Sequence, residues 1–145
     1  MIPRTSKHSV VATPIGGLAF SVAVREHIVS TDQPVRSGGI DSAPTPLEIL
    51  SAALASCIAL YVHKYCDAHS LLAIGLAVEV KPLWKESPGR IARFDVLVHL
   101  PDGIPASHHA AIDEVARTCP VHNTLTHTPE ITVAVRDRAS IHAAR

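Results

Sequence analysis

A chain of 145 residues, 47% hydrophobic, with 13 basic and 13 acidic side chains, is long enough to bury a core and too apolar to remain disordered. Its zero formal net charge and 3% aromatic content argue against a nucleic-acid groove, a base-stacking platform or an anionic membrane as partner. Three cysteines, an odd count with no CxxC pair, argue against a disulfide framework or a zinc ribbon.

The first residues, Met-Ile-Pro-Arg-Thr-Ser-Lys-His, lack the apolar core of a signal peptide. The longest apolar run, Ile49 to Val62, is interrupted by Ser51 and Ser56 and falls short of the roughly 20 residues a bilayer span needs. The expectation is one cytoplasmic domain over residues 1–145, with neither membrane nor nucleic acid as partner. Ser9 to Thr13 reads as a short strand ended by Pro14 and Gly16-Gly17. Leu18 to Ser30 reads as a second strand region, rich in Val, Phe and Ile. Residues 31–45 hold Pro34, Gly38, Gly39 and Pro44 and form a loop. A helix follows, with Thr45 as N-cap, Pro46 at the first position and Glu48 at the third, running to about Cys66. Its middle is apolar nearly all round, which predicts burial on every side.

Beyond the helix, Leu76, Val78 and Val80 share one strand face, while Glu79 and Lys81 share the other. Ser87-Pro88-Gly89 makes a turn, and Phe94, Val96, Val98 and Leu100 complete a hairpin. After the break at Pro101 to Pro105 a helix is expected to about Thr118. Pro120 then opens a short helix through Thr126, and Ile131, Val133 and Val135 alternate as a last strand. This order of elements defines an α+β chain with antiparallel sheet.

Two cysteines have distinctive settings. Cys57 lies within Leu-Ala-Ser-Cys-Ile-Ala-Leu (residues 54–60), and Cys119 opens Cys-Pro-Val-His-Asn-Thr-Leu (residues 119–125). A thiolate can attack one peroxide oxygen and become a sulfenic acid, which a second thiol converts to a disulfide. A nearby cation favours the thiolate and the charge that develops. The residues alone leave the order of attack open. Cys119 starts a helix, where the dipole lowers a thiol pKa, whereas apolar surroundings raise that of Cys57 unless a cation is near. Arg36, in the loop before the long helix, is the first candidate cation and Arg25 the second. Glu48 stands nine residues before Cys57, about half a turn off and about 13.5 Å along the axis, so it cannot touch Cys57 of its own helix.

Together with Pro-Thr-Pro-Leu-Glu-Ile-Leu (residues 44–50), these stretches resemble the OsmC/Ohr family over about residues 30 to 136. The resemblance implies antiparallel sheets packed around a long buried helix in an intertwined homodimer. It implies a thiol peroxidase in which Cys57 reacts with the hydroperoxide and Cys119 resolves the sulfenic acid. It also assigns Arg36 as catalytic arginine, with Glu48 holding an arginine in the composite site. Two departures stand out. Ohr-type chains carry their arginine after a Gly-Gly turn, where Leu18 follows Gly17 here. They also place the glutamate directly after the proline, where Leu47 stands here. The chain fits the OsmC-like side better.

Plainer roles exist for each residue: core thiol for Cys57, helix start for Cys119, capping carboxylate for Glu48 and loop charge for Arg36. Cys66, nine residues past Cys57, faces away from it. Competing functions are a non-catalytic small-molecule or interaction module of the same fold, and a metal site built from Cys119, His122 and Cys57 or His63. The peroxidase reading expects no cofactor and no metal. It expects an apolar hydroperoxide, from Leu54, Ile58 and Leu60 around Cys57, and a slim dithiol reductant such as a lipoyl group.

Overall fold

The structure, a computed structural model, describes residues 9–137. Strands β1 (Val10–Gly16), β2 (Ala19–Val24) and β3 (His27–Thr31) form an antiparallel sheet in that order. β1 runs past Pro14, which an edge strand tolerates, and its register shifts between Pro14 and Gly16. The region expected as one strand from Leu18 to Ser30 is instead a hairpin closed by the pair Val24 and His27. Its turn places Arg25 at φ 55°, a left-handed conformation usually signalled by Gly or Asn. Neither stands there, so composition did not mark the turn.

Helix α1 (Pro46–Ala68) begins with the expected capping box. The Glu48 amide donates to Thr45 Oγ1 at 3.2 Å, and Glu48 Oε2 accepts from the Thr45 amide at 2.7 Å. At 23 residues α1 is, by length and composition, long and apolar enough to cross a membrane, unlike the interrupted run read from sequence. The two interrupting serines bond inside the helix: Ser51 Oγ donates to the Leu47 carbonyl at 3.0 Å and Ser56 Oγ to that of Ala53 at 3.2 Å. Within the single chain, burial follows one stripe, Ser51, Leu54, Ile58, Val62 and Cys66, rather than the whole circumference. The reason is the side from which cover comes. The elements packed on α1 are β4, β5, α2 and α3, while the first sheet packs chiefly on itself.

β4 (Ala77–Lys85) and β5 (Arg90–His99) form the expected hairpin, pairing Val78 with Val98 and Val80 with Val96. Val78, Val80, Phe94 and Val98 pack against the core, whereas Leu97 and Val96 remain exposed on a strand with a free edge. A short 3-10 turn (Ala106–His108) leads into α2 (His109–Ala116), and α3 (Pro120–Thr126) follows. The core joins Leu54, Ile58, Val62 and Cys66 to Ile112, Ala116 and Cys119. Cys66 is thus a core residue, and burial pushes its thiol pKa up.

The last expected strand is not formed. Ile131, Val133 and Val135 are 80%, 86% and 96% exposed and belong to no sheet among the described residues. Alternation specifies which residues share a face, but a strand also needs an edge to pair with.

Candidate functional site

Cys119 is the N-cap of α3 and is fully buried. Its Sγ accepts a hydrogen bond from the His122 amide at 3.3 Å. Burial raises its pKa most, the His122 amide opposes that rise, and the neighbouring Cys57 side chain adds to it. The helix-start effect expected to lower this thiol is therefore outweighed: α3 is only 7 residues long and the sulfur is shut away from water. Cys57 reaches the same place from α1, half-buried and packed on the core beside Cys119. Both thiols are free, as is Cys66. The structure brings together the two cysteines that lie 62 positions apart in sequence (119 − 57).

Arg36 and Glu48 form a second group, apart from the thiols. Arg36 lies in a short 3-10 turn (Val35–Ser37), and Glu48 lies in the first turn of α1; both are exposed. The pKa of Glu48 is lowered, first by the Thr45 amide, then by the Thr45 side chain, and also by the positive charge of Arg36. Arg36 is therefore in electrostatic reach of Glu48. Nine helical residues, about 13.5 Å, separate Glu48 from Cys57 along α1. Arg25 sits at the β2–β3 turn, between the paired Val24 and His27, and Arg36 in the separate turn Val35–Ser37.

That loop has an organiser the sequence reading overlooked. Asp32 is 1% exposed. Its carboxylate accepts from the amides of Gln33 at 2.7 Å, Ile40 at 3.2 Å and Ser42 at 3.0 Å, and from Ser42 Oγ at 2.9 Å. These bonds, those to the Ser42 and Gln33 amides foremost, hold its pKa at about 2 against the opposing effect of burial. Gly39 closes the same loop: a Cβ there would overlap the Gln33 carbonyl and lie 2.8 Å from Asp32 Oδ1. An Asp at the opening of a Pro- and Gly-rich loop is a signal for such backbone capture.

Of the residues expected as substrate walls, Leu54 and Ile58 belong to the core and also line a cleft of about 550 Å³ with Phe94, Val98 and Leu125, while Leu60 is exposed. His63 faces Asp67 at 3.3 Å on the exposed side of α1, and among the described residues no group of three or more His, Cys, Asp or Glu converges on a metal position. His122 contributes its amide to Cys119, while its ring Nδ1 is buried without a hydrogen-bond partner among the described residues.

The sequence and this α+β arrangement match a known family. The model of the OsmC-like protein family matches residues 39–134, and the chain belongs to that family. Solved structures share the fold. One is an osmotic stress induced and detoxification response protein from Psychrobacter arcticus 273-4: TM-score 0.76, 21% identity, covering 85% of this chain and 91% of that one. An OsmC-like protein from Mycoplasma pneumoniae aligns with TM-score 0.69 and 18% identity over 86% of this chain and 91% of that one. An organic hydroperoxide resistance protein from Elizabethkingia anophelis aligns with TM-score 0.58 and 19% identity over 88% and 93%. No curated protein matches the sequence.

Proposed function

We propose that the chain is a thiol-dependent hydroperoxide reductase. The observation that carries this reading is the adjacency of Cys57 and Cys119, with Cys119 held as a thiol by burial. Cys57, the less buried of the two, attacks as thiolate. Its sulfur takes the terminal peroxide oxygen, the O–O bond breaks, and the departing alkoxide gains a proton to leave as alcohol. The Cys119 thiol then attacks the Cys57 sulfenic acid, a disulfide forms and water leaves. A dithiol such as a lipoyl group returns both cysteines to thiols and is itself oxidised to a cyclic disulfide. Membership of the family supports the reaction class, as does the fold shared with an organic hydroperoxide resistance protein.

The same reading requires a second copy of the chain. Glu48 is too far along α1 to serve its own Cys57, so in this proposal it and Arg36 supply charge to the Cys57 of a partner. Exposed apolar surface supports an intertwined homodimer: the first sheet, the uncovered faces of α1 and the segment from Ile131 to Val135 all lack cover in one chain. Glu48's engagement in its own capping box favours a second reading, a non-catalytic ligand or interaction module, whose thiols would be inert to peroxide.

Steady-state consumption of tert-butyl hydroperoxide with dihydrolipoamide as donor tests the proposal. Turnover is expected in the wild-type protein. No turnover, with all thiols still titratable, would favour the module. Light scattering at micromolar concentration is expected to give a dimer mass, and a monomer mass would remove the composite site.

A further inference from the structure

The chain has a single tryptophan, and it is 57% exposed in a sequence with 3% aromatic residues. Trp84 stands near the end of β4, at the point where the β4–β5 register shifts between Leu83 and Trp84. Such a bulge re-aims side chains: Leu83 is half-buried and the indole is left outside the core. The ring lies close over Gly89, where a Cβ would come within 3.3 Å of Cζ2 and 3.7 Å of Cη2. It therefore has a floor that any side chain at position 89 would crowd.

The indole also borders a cleft of about 610 Å³ shared with Arg36. Pro34, Pro46 and Leu47 add apolar wall, while Gln33, Arg36, Ser37 and Thr45 supply polar groups. A cleft with an aromatic and aliphatic wall and one cation among its polar groups suits a ligand with an arene or branched alkyl body and a single oxygen head. We propose that Trp84 is the specificity-determining residue of the site. Its indole holds the organic group of the hydroperoxide, preferring aryl over small alkyl groups, while Arg36 faces the oxygen. The reaction itself rests on the reductase reading above, with the attacking sulfur supplied by a partner chain. Binding in the cleft does not rest on it.

As the sole tryptophan, Trp84 reports its own occupancy. The wild-type protein is titrated with 2-phenyl-2-propanol, the unreactive alcohol left when cumene hydroperoxide is reduced, and tryptophan emission is followed. A saturable change is expected, with a weaker response to tert-butanol. In parallel, the kcat/KM ratio for cumene hydroperoxide over hydrogen peroxide is measured in the wild type, Trp84→Ala and Trp84→Phe. Losing an aromatic contact should reduce that ratio about tenfold in Trp84→Ala, and Trp84→Phe should recover most of it. Emission unmoved up to the alcohol's solubility limit would overturn the cleft assignment whatever the turnover. An unchanged ratio in a Trp84→Ala protein that still consumes peroxide would overturn the specificity role. A saturable emission change in a protein that consumes no peroxide would uphold the cleft and overturn the reductase reading.

Discussion

The two ends of α1 face opposite situations. Towards its C-terminal part, Leu54, Ile58, Val62 and Cys66 are closed in by α2, the β4–β5 hairpin and Cys119. Around its start, the β1–β3 sheet leaves Val10 64% and Ile28 65% exposed, although its strands are as apolar as any in the chain. Both regions obey the same local rules of alternation and capping. What differs is the supply of cover. The thiol pair lies in the closed region and Arg36 with Glu48 in the open one, so the composite-site reading amounts to a claim that a second copy joins the two.

The largest effect should follow from removing the attacking sulfur. Cys57→Ser is expected to reduce peroxide consumption to background, and Cys119→Ser to leave a sulfenic acid on Cys57 that over-oxidises, read by mass spectrometry. Normal turnover in Cys57→Ser would reverse the assigned order. Next come paired substitutions across the two regions. Ile58→Ala, deep in the core, should destabilise by about 3 kcal/mol at every protein concentration. Ile28→Ser, on the open sheet, should lower the urea midpoint mainly through lost association, with a loss that shrinks as protein concentration rises. Equal and concentration-independent losses would dissolve the contrast.

Smaller effects probe the loop that carries Arg36. Gly39→Ala forces a Cβ against the Gln33 carbonyl and should cost about 1–3 kcal/mol. Because the loop must shift, turnover should fall further than the melting temperature alone accounts for. Asp32 gives the finest test. Its folded pKa of about 2 lies below the ordinary 3.8, so its stabilisation is complete above about pH 4 and is lost as pH falls through 2. Asp32→Asn should remove that part of the acid dependence of stability between pH 4 and 2, measured by denaturant unfolding. An identical acid limb in wild type and variant would count against the hub.

Legibility in sequence followed the reach of each interaction. The capping box at Thr45 and Glu48, the β4–β5 hairpin and the turn opened by Cys119 depend on neighbours a few residues away, and all were readable. The tight turn at Arg25 carried no glycine or asparagine to announce it. The strand expected at Ile131 to Val135 had its alternation, yet it pairs with neither sheet among the described residues. The pKa of Cys119 was misjudged because helix position is local while burial is a property of the whole fold. The role of Asp32 depends on the amides of Ile40 and Ser42, 8 and 10 residues further on, which fold back on it.

Mapping the thiols after one equivalent of cumene hydroperoxide tests the central claim most directly. The three cysteines are expected to part company: Cys57 and Cys119 recovered as one disulfide-linked peptide pair, Cys66 still free in the core. Three free thiols after exposure, or a disulfide that includes Cys66, would contradict the account.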